Sequence, residues 1–316
     1  RYCMPEDEYT WLPRTSLLSF EEIAGVVCAF ATLGVSKFRL TGGEPLLRRD
    51  LDQLVRMLKA VDGVRELSLT TNGLLLAPAA PRLRLAGLDR ATVSLDTLRA
   101  DRMAGFARSE RHANVIEGID AAIEAGFPDL KLNTVVVRGY NADEIADIAA
   151  FAWDRGIEPR YIEYMDVGGA TQWSPDAVVS RSDILAALER AFGSAESLAR
   201  RDNPHAPAER FRWADGRTAG IIASTTAPFC RDCDRGRVTA DGTFFLCLYA
   251  VSGVDLREPL RSGAAAAELA ALIAAAWKDR DDHGAESRAA VPDRGVFVPL
   301  EGLRADVRRE MHVRGG

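Results

Sequence analysis

The chain has 316 residues, 47% of them hydrophobic and 27% charged, which is enough to bury one large core or two smaller ones. A formal net charge of −6 and a pI near 5.4 exclude bulk nucleic-acid binding through a basic surface. No apolar run approaches the roughly 20 residues of a membrane span and no signal peptide is visible, so a cytoplasmic protein with no membrane partner is expected, its odd count of five cysteines suiting reduced, metal-bound thiols.

In chain order, Ser19-Phe20-Glu21-Glu22 opens a helix with the capping-box pattern, and Ile23, Val26, Val27, Phe30 and Leu33 keep its spacing up to Gly34. Cys28 lies inside it at no ligand spacing and reads as an ordinary thiol. Strands are predicted over 37–41, 66–71, 91–95, 130–137 and 160–165. Helices are predicted over 50–60, 112–125 and 142–155, with Gly126 as a C-cap. Short strands alternating with helices argue for a parallel sheet with crossover helices. Active groups in such folds sit at the carboxyl ends of the strands, where Gly42-Gly43-Glu44, Thr70-Thr71-Asn72, Ser94 and Met165 fall.

Beyond Gly168-Gly169 the pattern changes. Residues 170–207 read as polar linker with one helix over 183–192, 210–213 and 220–224 as a hairpin around Asp215-Gly216, 264–278 as a helix, and the end as polar and irregular. Two units are expected, 1–207 and 208–316.

The most informative stretch is FCRDCDRGRVTADGTFFLCLY at 229–249. Cys230 and Cys233 are spaced so that both sulfurs can grip one centre, and Cys247 returns on a hairpin turned by Ala240-Asp241-Gly242. Three thiolates suit zinc with a fourth ligand, or an iron–sulfur cluster with one open iron. Arg235 and Arg237 would share one strand face beside it, a pairing suited to phosphate.

Together, YCMP at 2–5, KFRLTGGEPLLR at 37–48, TTNG at 70–73, SLD at 94–96, KLN at 131–133, RYIEYM at 160–165, the cysteine stretch and the terminal Gly315-Gly316 resemble the MoaA family. These are the GTP 3′,8-cyclases of molybdenum cofactor biosynthesis, lyases of the radical SAM class. The resemblance implies an α/β fold, a partial (βα)6 TIM-like radical SAM barrel with a C-terminal iron–sulfur domain. It implies two [4Fe–4S] clusters, the first binding S-adenosylmethionine and the second binding GTP through its open iron. A 5′-deoxyadenosyl radical would take hydrogen from C3′ of GTP, and the carbon radical would attack C8, giving (8S)-3′,8-cyclo-7,8-dihydroguanosine 5′-triphosphate. Cys3 would ligate the first cluster, and Cys230, Cys233 and Cys247 the second. Tyr2, Gly43, Ser94 and Met165 would contact S-adenosylmethionine. Arg39, Thr70 (in preference to Thr71), Lys131, Arg235, Gly236 and Arg237 would contact GTP, with Lys37 and Arg160 as further candidates. The Gly315-Gly316 tail would reach the catalytic pocket. Implied partners are a flavodoxin or ferredoxin reductant and the downstream cyclic pyranopterin monophosphate synthase; a homodimer is allowed.

The chain departs from the pattern in three places. It begins inside the first cluster's motif, so a truncated N-terminus, inactive as it stands, is expected. Asp234 replaces the family's common Asn and puts a carboxylate beside Arg235, able to pair with it and weaken its grip on phosphate. Gly236 replaces a bulkier apolar residue and is expected to loosen the packing. The competing readings are another radical SAM maturase with an auxiliary cluster, acting on a peptide, and a zinc-stabilised GTP-binding scaffold.

Overall fold

The computed structural model describes residue 4 and residues 6–107, 109–198, 205–278 and 280–315. Its main sheet contains β1 (Lys37–Leu40), β2 (Glu66–Thr71), β3 (Arg90–Ser94), β4 (Lys131–Val136), β5 (Glu158–Glu163), β6 (Glu196–Leu198), β7 (Glu209–Arg212) and β8 (Thr218–Ile222). The strand order is β1-β2-β3-β4-β5-β8-β7-β6. The first six in that order run parallel, while β7 and β6 finish the edge antiparallel. The β7–β8 hairpin lies beyond the expected seam at 207, yet it pairs with β5 and extends the barrel wall.

Parallel neighbours need crossovers. These are α2 (Leu51–Lys59), α3 (Leu76–Leu85), α4 (Ala100–Ala107) with α5 (His112–Glu124), and α6 (Ile145–Asp154), while α1 (Phe20–Thr32) precedes β1 and α7 (Arg181–Phe192) precedes β6. Period-two alternation sorts the strands into two faces. Leu67, Leu69, Val93, Leu132, Val136 and Tyr161 face the helices and form the core with Leu54, Leu83, Ile119 and Ile148. Their alternates line the concave side. The prolines at 78 and 81 hide α3 from a propensity reading. Pro78 falls in the first turn, where a missing N–H is harmless, and burial of Leu76, Ala79, Ala80 and Leu83 offsets Pro81.

The cysteine stretch belongs to a small antiparallel sheet of β9 (Arg237–Val238), β10 (Thr243–Phe245) and β11 (Val254–Asp255), in the order β11-β10-β9. It is followed by α8 (Arg257–Arg261), α9 (Ala266–Lys278), α10 (Gly284–Ala289), α11 (Leu300–Ala305) and α12 (Met311–Arg314), so the end expected to be irregular is partly helical. Helix α1 serves two cores. Val27 packs in the barrel core, whereas Val26 and Ala29 pack with Phe244, Leu256, Leu269 and Ile273.

One expectation needs correcting. The segment Arg14–Thr32 does pass a membrane-span test by length and composition. It consists of the turn Arg14–Ser16 and helix α1, and its Val26, Val27 and Ala29 are spent in the two cores.

Candidate active site

The concave face of the barrel is polar because alternate strand residues there are charged or hydroxylated. Register places Arg39 beside Ser68, Thr70 beside Thr92, Thr92 beside Lys131, Lys131 beside Glu158, and Ser94 beside Asn133 and in turn Arg160. Arg39 donates from Nη1 to Thr70 Oγ1 at 2.9 Å and to Thr92 Oγ1 at 3.3 Å. Solvent reaches Arg39 through the open lumen, yet protein surrounds it, and that crowding, with Arg90 and Arg160 nearby, pushes its pKa down to about 10. Burial, then Arg160 and Arg90, pushes Lys131 down to about 8. Arg160 is held by Glu158 at 3.1 Å and Arg90 by Glu66. Arg39 and Lys131 have no carboxylate partner among the described residues, so the lumen presents positive charge ready for an anion.

The loop after β1 is fixed by Glu44, which the sequence reading left without a role. Its carboxylate accepts from Thr71 Oγ1 at 2.7 Å, Asn72 N at 2.8 Å and Leu46 N at 3.0 Å. The Thr71 hydroxyl is thereby committed to the loop, while that of Thr70 faces the lumen. Ser94 ends β3 opposite Asn133, whose Oδ1 is buried without a partner. Met165 lies two residues past the end of β5, not on the strand as expected, and is half-buried. It is flanked by two buried carboxylates. Glu163 accepts from Arg181 N, Thr225 N and Thr226 N, and Asp166 accepts from Tyr249 Oη at 2.8 Å, Arg288 Nε at 2.8 Å and Arg294 Nη2 at 2.6 Å. Tyr2, Cys3 and Gly316 lie outside the described residues.

Cys230 and Cys233 bracket a single turn in which Cys233 N donates to Cys230 O at 3.1 Å. Cys247 follows β10, and its Sγ accepts from Tyr249 N at 3.4 Å. Helix α10 packs onto them: a Cβ at Gly284 would stand 3.0 Å from Cys247 Sγ. Burial raises the Cys230 thiol, whereas at Cys233 burial is outweighed by Arg235 and Arg280, so its pKa falls. Among the described residues no three His, Cys, Asp or Glu side chains close on a single metal ion. The thiols still share one neighbourhood, since Cys247 acts on Cys230, and Cys233 and Cys247 both act on Arg237.

Arg235 lies over the Phe229 ring at 5.2 Å, and no ion pair with Asp234 forms among the described residues. The loosened packing expected at Gly236 is absent as well. A Cβ there would come within 2.6 Å of Phe244 Cε2, so the ring fills the space. Arg237 donates from Nη1 to Gly315 O at 2.7 Å, and burial, then Arg235, pushes its pKa down to about 10. Gly315 has φ 73° and ψ 150°, a region open essentially to glycine, and a Cβ there would meet Thr41 Cγ2 at 2.7 Å. The tail thus runs from the cysteine unit to the loop after β1. Its polar residues Glu310, His312 and Arg314 are buried, and His312 lies against Tyr9 and Trp11 with ring centroids 5.5 and 4.6 Å apart. Burial and nearby Glu6 push Glu310 up to about 7. Sequence reasoning passed over these three and Asp166. A cation next to a terminal Gly-Gly was a usable signal for Arg314; nothing local marks Asp166.

The model of the radical SAM superfamily matches residues 1–152, and that of Molybdenum Cofactor Synthesis C matches residues 157–285. GTP 3′,8-cyclase 1 of Mycobacterium tuberculosis is 52% identical over 100% of this chain and 89% of its own length. The GTP 3′,8-cyclase of Acidothermus cellulolyticus is 48% identical over 92% and 82%. Among solved structures, Streptococcus suis SuiB shares the fold with a TM-score of 0.52 at 16% identity, over 76% of this chain and 57% of its own. With a relative this similar along its whole length, a polar parallel barrel and a three-cysteine unit joined at one mouth, the chain belongs to the GTP 3′,8-cyclase family of radical SAM enzymes.

Proposed function

We propose that the protein converts GTP and S-adenosylmethionine into (8S)-3′,8-cyclo-7,8-dihydroguanosine 5′-triphosphate, an early step towards the molybdenum cofactor. One observation carries this reading. Arg237 of the cysteine unit bonds to Gly315, and Gly315 packs on Thr41 and Gly42 of the barrel loop, so the tail ties the cysteine unit to the loop at the strand ends. When bound, the two [4Fe–4S] clusters and S-adenosylmethionine supply the radical and an anchoring iron for the base. Cys230, Cys233 and Cys247 are proposed to hold the second cluster. Cys3, with Tyr2 alongside, is proposed for the first.

The protein's own part is positioning and charge. Arg39, Lys131, Arg235 and Arg237, with Thr70 and Gly236, are proposed to hold GTP, the cations taking the triphosphate. Arg160 and Lys37 remain further candidates. Gly43, Ser94 and Met165 are proposed to hold S-adenosylmethionine at the strand ends. Gly315 and Gly316 would narrow the chamber and exclude water. The functional division is a barrel unit (1–207) and a cysteine unit (208–316), with the β7–β8 hairpin as their shared wall. Proposed partners are a flavodoxin or ferredoxin as electron donor and cyclic pyranopterin monophosphate synthase downstream, in the cytoplasm.

The test is anaerobic incubation of the iron- and sulfide-reconstituted protein, carrying a complete three-cysteine motif for the first cluster, with GTP, S-adenosylmethionine and a low-potential reductant. Formation of 5′-deoxyadenosine that depends on GTP, with a cyclised isomer of GTP beside it, is expected. Formation that ignores GTP and follows a peptide would replace this reading with the maturase one.

A further inference from the structure

Buried polar atoms are normally hydrogen-bonded, and one left alone costs free energy. Among the described residues seven buried side-chain nitrogen or oxygen atoms have no hydrogen-bond partner, and five belong to residues 309–314: Arg309 Nε, Glu310 Oε2, both ring nitrogens of His312, and Arg314 Nη2. The tail therefore concentrates buried donors and acceptors that no protein hydrogen bond satisfies.

Arg314 is the most defined of these. It is only 5% exposed. Nε donates to Arg308 O at 2.7 Å, Nη1 donates to Leu248 O at 2.9 Å, and the guanidinium lies 4.3 Å from the Phe245 ring centroid. Phe245 stands directly across the β9–β10 pair from Arg237. Arg314 forms no ion pair among the described residues, and the acid that acts on it, Asp306, is already shared between Arg308 and Arg309 at 3.8 and 3.7 Å. The side chain is therefore a buried, fixed cation with one donor corner left over, beside a guanidinium already assigned to phosphate. Burial also pushes its pKa down to about 10.

We propose that Arg314 is a further substrate-binding residue, donating from Nη2 to an oxygen of the nucleotide's polyphosphate alongside Arg235 and Arg237. This rests on the GTP reading above. Arginine suits the task, because its planar fork can spend two edges on protein carbonyls and keep a third for phosphate. The arrangement couples tail and substrate: Arg237 holds the tail through Gly315, and Arg314 carries the tail's own charge to the ligand.

The experiment is calorimetric titration of the iron- and sulfide-reconstituted protein with GTP and with guanosine, comparing the parent with Arg314→Met and Arg314→Lys. Loss of one charge-assisted bond predicts GTP binding weakened about tenfold to a hundredfold in Arg314→Met, an intermediate loss in Arg314→Lys, and unchanged guanosine binding. Unchanged GTP binding in both variants would overturn the assignment. Equal weakening of GTP and guanosine would also overturn it, since that is the mark of a tail anchor that never touches phosphate. A parent that binds neither ligand would overturn the GTP reading itself, and this assignment with it.

Discussion

Asp166 offers the sharpest test of how the two units are joined. Its side chain is fully buried and accepts from Tyr249 Oη at 2.8 Å, Arg288 Nε at 2.8 Å, and Arg294 Nε and Nη2 at 3.1 and 2.6 Å. Arg288 and Arg294 are themselves 17% and 9% exposed. The substitution Asp166→Asn keeps the shape, removes the charge and turns one acceptor into a donor facing a guanidinium. Breaking a buried pair from one side leaves the other charge stranded and costs about 3–5 kcal/mol. Here two guanidiniums are stranded, so the upper half of that range is expected. At roughly 2 °C per kcal/mol for a chain of this size, the melting temperature should fall by about 8–10 °C. Urea unfolding followed by circular dichroism measures the change, and Tyr249→Phe gives the internal scale at about 1.5–3 kcal/mol, one hydrogen bond to a charged group. Hydrogen bonds from Arg294 and Tyr249 outweigh burial and hold the Asp166 carboxyl below the usual range. Its contribution is therefore present above the unfolded carboxyl value near 4 and is lost as the solution is acidified below it. A loss under about 1 kcal/mol would place the cluster with exposed ion pairs and refute the reasoning.

Two further outcomes follow from the site. With Lys131 at about 8, the charged form that attracts triphosphate is lost above that pH, so GTP affinity should be level below about pH 7 and fall by up to tenfold per unit above about 8. Titrations from pH 6.5 to 9.5 check this, and Lys131→Met should flatten the profile; an unchanged slope in that variant would remove Lys131 from the pocket. Gly315→Ala forces a side chain into a glycine-only backbone region and towards Thr41, a strain on the order of 1–3 kcal/mol that the tail relieves by leaving. In the protein carrying the complete first-cluster motif, cyclase turnover should drop at least tenfold with a melting temperature within about 2 °C of the parent, and normal turnover would show that the tail need not dock.

The barrel was legible because its signals are local. Alternation over β2 to β5 sorts lumen from core, and the family resemblance singled out Arg39, Thr70 and Lys131 before any contact was known. The hairpin turn at Asp215-Gly216 announces that β7 pairs with β8, but no local signal says that β8 then lies against β5, a pairing some 60 residues away. Helix α3 was missed because its prolines oppose its burial. At Gly236 comparison with the family's usual side chain misled, since the space was decided by Phe244 on the neighbouring strand. Asp166 and Arg314 owe their surroundings to residues 83, 122 and 128 positions away in one case and 66 in the other. No window of sequence displays such partners together.

Helix α1 carries a last consequence. With Val27 in one core and Val26 and Ala29 in the other, it works as a beam between two floors. Neither half can be cut free without baring an apolar stripe along that beam, so the two halves fold and unfold together. The gap across which the two cofactor-bearing ends must face each other is then set by a length of helix rather than by a linker, and ångström-scale spacing between remote chemical centres becomes a property of ordinary side-chain packing.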